Sequence, residues 1–307
     1  MHFADRLDQR ITETASRIVI GIDPDPVRLF ASGSRLKTAF PGKSNEHLLE
    51  TFCSIIIEVA KTYACAIKPQ AAFFESMGIS GLKALSQCIL QARKMHIPVI
   101  LDAKRGDIGN TASAYAKAYL DPSSEFFADA LTVNPYLGPD TLEPFVQMAN
   151  RNHCGLFILV KTSNPGSGAF QDLKIHKGNV GLSGTLAARV AETVRDMGSS
   201  TIGNCGFSNI GAVVGATYPE DLEALRSIMP YTLFLLPGYG AQGGTAQDVK
   251  PAFCPGGKGA LVSSSRGIIF AYEALARNGL SQADIFEAIA NAAQKAREDI
   301  NSPALAR

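Results

Sequence analysis

The sequence predicts an α/β fold, a (β/α)₈ TIM barrel built as a single domain over residues 1–307. Three observations predict it. Short β-rich apolar runs alternate with longer helical patterns eight times along the chain, the signature of a parallel sheet. The apolar runs are near-continuous, as strands covered by helices require. The 307 residues hold eight such units with no internal repeat or low-complexity linker to divide them. An open, doubly wound sheet with a second domain is the competing architecture.

The units follow in order. Ile18 to Ile22 is the first strand, ended by Asp23-Pro24-Asp25-Pro26, and a helical pattern covers about Ser44 to Tyr63. Ala64 to Pro69 is the second strand, with a helix over about Glu75 to Met95. Pro98 opens the third strand, Val99 to Lys104. Gly106 and Gly109 then permit a tight turn into a helix from about Asn110 to Leu120, capped by Asn110 or Thr111. Ala130 to Asn134 is the fourth strand, followed by a helix starting near Pro139. The fifth strand, Gly155 to Thr162, ends in a polar loop through about Gly184. A helix over Thr185 to Met197, the sixth strand Ile210 to Ala216, and a helix opened by Pro219-Glu220-Asp221 come next. Tyr231 to Leu236 and Ala260 to Ser264 are the seventh and eighth strands. A last long helix spans about Ser281 to Ile300.

Hydrophobic residues make up 46% of the chain and charged residues 19%, enough apolar content for a large core. The formal net charge is +1, so no global field favours nucleic acid or a membrane surface. An anionic ligand must therefore be bound locally. The six cysteines show no CxxC pair and no metal-ligand spacing, and read as reduced thiols. No apolar run approaches the roughly 20 residues of a membrane helix, and the N-terminus lacks a signal core. The expectation is a cytoplasmic protein.

In a barrel, the active site lies at the C-terminal ends of the strands. Asp23, Lys68, Asp102, Lys104, Asn134, Thr162, Ser163 and Arg266 all fall there. Asp102 and Lys104 are two apart and share a strand face, with Lys68 at the end of the preceding strand. A semi-buried Lys-Asp-Lys array is stable only if its charges pair. Such an array either closes the barrel mouth as an ion-pair network or serves chemistry. Asp107, past Gly106, is either a loop residue or a further charged group aimed at a ligand. The seventh strand is followed by Pro237-Gly-Tyr-Gly-Ala-Gln-Gly-Gly244, and the eighth by Ser263-Ser-Ser-Arg-Gly267. Barrels often bind phosphate with these two loops, using glycine N–H groups such as those at Gly238 and Gly240 together with an arginine.

The run Leu101-Asp-Ala-Lys-Arg-Gly-Asp-Ile-Gly-Asn-Thr111 resembles the DxKxxDIGNT signature of orotidine 5′-phosphate decarboxylases. Phe3-Ala-Asp-Arg-Leu7, Gly21-Ile-Asp-Pro24, Lys68-Pro-Gln70 and Pro237-Gly-Tyr-Gly-Ala-Gln242 resemble the longer bacterial (type 2) subgroup. The resemblance runs over essentially the whole chain, in order. It implies a homodimer with shared active sites that converts orotidine 5′-monophosphate to uridine 5′-monophosphate and CO₂, the last step of de novo pyrimidine synthesis. By position, it implies that Lys68, Asp102, Lys104 and Asp107 form a charged tetrad with Lys104 as proton donor. Asp107 and Thr111 would reach into the partner subunit's site. Asp23 would hold the ribose, Thr162 or Ser163 the base, and Gln242 and Arg266 the phosphate. Asn134 would make a sugar or phosphate contact, and residues 164–184 would supply part of a closing loop.

Decarboxylation leaves an electron pair on the ring carbon, which many enzymes delocalise into a cofactor. The sequence carries no cofactor motif and no His/Cys cluster for a metal, so none is expected. Electrostatics must carry the step: an ammonium beside the developing carbanion stabilises and then protonates it. Asp102 would face the substrate carboxylate. Two rivals remain: a magnesium-dependent sugar-phosphate decarboxylase or aldolase of the same superfamily, and a non-catalytic barrel that binds a phosphate ligand.

Overall fold

The structure, a computed structural model, describes residues 1–176, 183–240, 243–276 and 279–306. The chain opens with helix α1 (Phe3–Thr14), strand β1 (Ile18–Ile22), short helices α2 (Pro26–Phe30) and α3 (Arg35–Ala39), and the long α4 (Asn45–Tyr63). β2 (Ala66–Pro69), α5 (Ala71–Glu75), α6 (Gly78–Lys94), β3 (Ile100–Arg105) and α7 (Gly109–Leu120) follow. Next come β4 (Ala130–Val133), α8 (Pro139–Asn152), β5 (Gly155–Lys161), α9 (Gly168–Gln171), β6 (Lys174–His176), β7 (Ser183–Thr185) and α10 (Leu186–Gly198). The chain continues with β8 (Ser208–Val214), α11 (Pro219–Ile228), β9 (Thr232–Leu236), β10 (Ala260–Ser264), α12 (Arg266–Ile269) and α13 (Gln282–Leu305).

Eight strands form one parallel sheet in the order β2-β1-β10-β9-β8-β5-β4-β3. Its two ends meet through parallel bridges between Ile67 and Val99 and between Gln70 and Asp102. The sheet thus closes into the expected (β/α)₈ barrel rather than staying open. The closing seam lies between β2 and β3, the two strands that carry Lys68, Asp102 and Lys104.

The two-residue period of a strand sorts the core into two layers. Val19, Ala66, Ile100, Ala130, Phe157, Val213, Leu235 and Leu261 fill the barrel interior. Their neighbours Ile18, Ile20, Ile67, Leu101 and Leu131 belong to the larger cluster beneath the helices. Phe3, Ala4 and Leu7 of α1 join the interior cluster and plug the N-terminal end of the barrel. Phe3 meets Phe157 edge-on, with ring centroids 6.2 Å apart. Gly155 makes room for it, because a Cβ there would lie 2.3 Å from the Phe3 ring. Sequence patterning assigned no element before the first strand, since α1 declares its role only through this distant contact.

Other departures have local causes. The helix expected over Glu75 to Met95 is α6, which starts at Gly78, whose φ of +65° suits glycine, and the short α5 precedes it unannounced. Neither Asn110 nor Thr111 caps α7: the N-cap position is Ile108, with no side-chain cap, and both polar residues lie in the exposed first turn. The polar segment after β5 contains α9 and the antiparallel pair β6–β7, while residues 177–182 lie outside the described residues. The last helix runs past Ile300 to Leu305. Among the described residues no helix is long and apolar enough to cross a membrane.

Candidate active site

The inward parity that fills the barrel with apolar side chains continues into its mouth with polar ones. On β1 the series Val19, Gly21 ends at Asp23; on β2, Ala66 gives way to Lys68 and Gln70. On β3, Ile100 gives way to Asp102 and Lys104; on β4, Ala130 gives way to Thr132. These polar residues line one cavity of about 380 Å³. A Cβ on Gly21 would sit 1.8 Å from Ser265 Oγ, so the missing side chain keeps the cavity floor open.

Asp102 is the electrostatic centre. Lys104 Nζ donates to its Oδ1 at 2.5 Å and Lys68 Nζ donates to its Oδ2 at 2.6 Å. Thr132 Oγ1 donates to Oδ1 at 3.0 Å, and Gln70 Nε2 donates to Oδ2 at 3.0 Å. Four donors thus saturate an ionised carboxylate, which has about four lone-pair sites. Burial works to raise the Asp102 carboxyl, yet the ammonium groups of Lys68 and Lys104 outweigh it and hold it well below the usual carboxylate range. Burial likewise works to lower Lys68, but Asp102 and Asp23 outweigh it and raise that ammonium. The two lysines differ in setting: the Lys68 side chain is 7% exposed and that of Lys104 is 44% exposed. Lys68 is locked; Lys104 reaches into the open cavity. Lys104 also has a φ of +49°, a left-handed backbone that is uncommon for a non-glycine residue. Among the described residues no group of three His, Cys, Asp or Glu side chains is arranged to hold a metal ion.

The remaining wall carries hydrogen-bonding groups around an apolar patch. Asp23 Oδ1 is buried with no hydrogen-bond partner, an acceptor available to a ligand hydroxyl. Thr162 and Ser163 both line the cavity. The Thr162 hydroxyl is already engaged, donating to Asn164 Oδ1 at 2.6 Å and accepting from Gln171 Nε2 at 2.9 Å. Behind them, buried Lys161 pairs with Asp172 and, at 3.5 Å, with Asp221, tying the segment after β5 to α11. Leu159, Val213 and Leu235 supply an apolar wall. Gly238, with φ +105°, and Tyr239 line the mouth after β9, and Arg266 lines it after the neighbouring β10. Tyr239 is anchored by its hydroxyl, which donates to Asp299 of α13 at 2.6 Å.

Not every residue expected from the sequence converges. Asp107, Thr111, Asn134 and Gly240 do not line the cavity. Asp107 accepts from the backbone N–H of Ile108 at 2.8 Å, and Asn134 accepts from that of Tyr136 at 3.0 Å. For Asn134 the reason is local: its carboxamide oxygen closes the turn after β4. Gly240 instead donates its N–H to the Gly244 carbonyl at 2.8 Å, inside its own loop. Gln242 lies outside the described residues. Conversely, Gln70 and Thr132 received no role from the sequence, although each continues the inward parity of its strand.

Comparison with known proteins gives a consistent picture. Residues 16–277 match the model of the orotidine 5′-phosphate decarboxylase / HUMPS family. The chain is 44% identical to an orotidine 5′-phosphate decarboxylase of Rhodopirellula baltica over 281 residues, covering 89% of this chain and 90% of that protein. It is 42% identical to one of Haloarcula marismortui over 302 residues, covering 98% and 99%. Among solved structures, OMP decarboxylase of Leishmania donovani superimposes with a TM-score of 0.74 at 33% identity, covering 99% of each chain.

Proposed function

The chain belongs to the orotidine 5′-phosphate decarboxylase / HUMPS family, and from that premise we propose that its barrel cavity decarboxylates orotidine 5′-monophosphate by electrostatics, with Lys104 as the proton donor. The enzyme is a carboxy-lyase; its products are uridine 5′-monophosphate and CO₂, which places it at the last step of pyrimidine synthesis. The observation that carries the mechanism is the Lys68–Asp102–Lys104 array on the inner face, where the half-exposed ammonium of Lys104 meets the cavity.

The bond to the departing carboxylate breaks and its electron pair stays on the ring carbon. The Lys104 ammonium stabilises that charge as it forms and then passes its proton to the carbon. Asp102 orients Lys104 through the hydrogen bond from its ammonium. Repulsion between Asp102 and the substrate carboxylate is a smaller contribution than charge alone suggests. Two bare charges about 4 Å apart repel by roughly 4 kcal/mol at an effective dielectric near 20, but here four donors already compensate Asp102. Asp23 accepts from a ribose hydroxyl, Ser163 meets the base because the Thr162 hydroxyl is occupied, and Arg266 with the Gly238 loop and Gln242 holds the phosphate. Phosphate binding remote from the reacting carbon fixes the ring against Lys104.

The working unit is a homodimer with shared sites, acting in the cytoplasm. Asp107 does not line its own cavity, and the segments that follow β3 and β4 expose apolar side chains: Ile108 is 63% exposed, Tyr136 78% and Leu137 51%. A second copy seated there would bury them and bring Asp107 and Thr111 to the other site.

The test is an absorbance assay of the purified protein with orotidine 5′-monophosphate and a metal chelator. Turnover unaffected by chelator is expected, and Lys104→Ala should abolish it while leaving uridine 5′-monophosphate binding measurable. Loss of turnover with chelator points instead to the magnesium-dependent enzymes of the superfamily. Binding without turnover by the parent protein points to a non-catalytic barrel.

A further inference from the structure

The β3–β4 ladder is irregular where the charged array begins. Leu101 pairs with Leu131 and Arg105 with Val133, so three residues of β3, Asp102 to Lys104, stand opposite the single residue Thr132. Extra residues on one strand form a bulge and lose their ladder partners. The backbone N–H groups of Ala103 and Lys104 are two such orphans. Both donate to Thr132 Oγ1, at 3.0 and 2.9 Å. The same hydroxyl donates its own proton to Asp102 Oδ1 at 3.0 Å. A hydroxyl offers one donor and two acceptor sites, and here all three are used. Thr132 is 1% exposed, so water does not stand in for it.

We infer that Thr132 is a positioning residue: its hydroxyl holds the bulge in the left-handed conformation that returns the Lys104 ammonium to Asp102 at the cavity. The inference rests on the proposed function of that site. Left-handed backbone at a non-glycine residue persists only where its surroundings over-determine it, and Thr132 is the group that does so here. Lys104 leaves the strand with φ +49°, yet its Nζ lies 2.5 Å from the carboxylate two residues back. Without the hydroxyl, two buried N–H groups lose their acceptor and one carboxylate oxygen loses a donor. The bulge then relaxes toward a conformation in which Lys104 is no longer aimed. The hydroxyl of Thr132 bonds Asp102 and the backbone rather than either ammonium, so its effect runs through geometry.

Valine matches the shape of threonine without the hydroxyl, and serine keeps the hydroxyl without the methyl. Thr132→Val should lower kcat for orotidine 5′-monophosphate by about tenfold or more while changing KM and the Kd for uridine 5′-monophosphate by less than about threefold. Thr132→Ser should regain most of the lost rate. A Thr132→Val enzyme with near-parental kcat overturns the inference, as does a serine variant as impaired as the valine one. If Thr132→Val fails to fold, Thr132→Ala against Thr132→Ser asks the same question. If valine and alanine both unfold while serine is normal, the hydroxyl serves stability alone and the inference fails. A parent protein with no turnover marks failure of the functional reading itself, which separates the two.

Discussion

Asp102 and Lys68 are buried together, so each is costly without the other. Asp102→Asn removes the charge beside a lysine that is 7% exposed. Breaking one partner out of a buried pair costs about 3–5 kcal/mol, which urea denaturation at neutral pH would register as a lower midpoint. An unchanged midpoint would show that the pair contributes nothing. The pH dependence follows from the two shift directions. Asp102 is lowered in the folded state, so its contribution is present above about pH 4 and lost as pH falls toward the folded value. Lys68 is raised, so its contribution is full below about pH 10 and lost as pH rises through its folded value. The pair is therefore at full strength between those limits, and Asp102→Asn should flatten the acid limb of a stability–pH profile. That these charges share a face was legible from their spacing. That the Thr162 hydroxyl is engaged was not, because Gln171 reaches Thr162 from α9, whose placement no local pattern reveals.

At the scale of elements, α1 and the β5 entry form a lock at the end of the barrel away from the site. Phe3→Ala removes a ring that is 1% exposed and should cost about 3–5 kcal/mol. Gly155→Ala forces a methyl against that ring and should cost about 1–3 kcal/mol. The two should be strongly non-additive, since the alanine methyl in a Phe3→Ala background meets a void. A double-mutant cycle measured by thermal or urea unfolding checks this; simple additivity would refute the plug. kcat should change little in either single variant. The strands and long helices were legible from periodicity and turn residues. α1 was not, because an amphipathic segment does not say which distant surface it covers.

The whole molecule enters through the shared site. Coexpressed Lys104→Ala and Asp107→Ala chains should yield mixed dimers in which one site holds both intact residues. For random pairing this restores up to about a quarter of parental turnover in a two-fold assembly. Activity no higher than that of either single variant would mean that each barrel works alone. The exposed apolar rim of Ile108, Tyr136 and Leu137 should also become protected from hydrogen exchange as protein concentration rises through the dimer range.

The sequence by itself determined the eight barrel strands in chain order, the inward face of Lys68, Asp102 and Lys104, and the family signature that those residues carry. Each of these depends on contacts or periods within a few residues, which composition and spacing record directly. Only the tertiary structure decided that Thr132 and Gln70 complete the shell around Asp102 and that Asp107 stands outside its own cavity. Those outcomes depend on register between strands some 30 residues apart and on a bulge at Lys104. Register is set by the packing of the closed barrel as a whole, so no stretch of the chain read alone contains it.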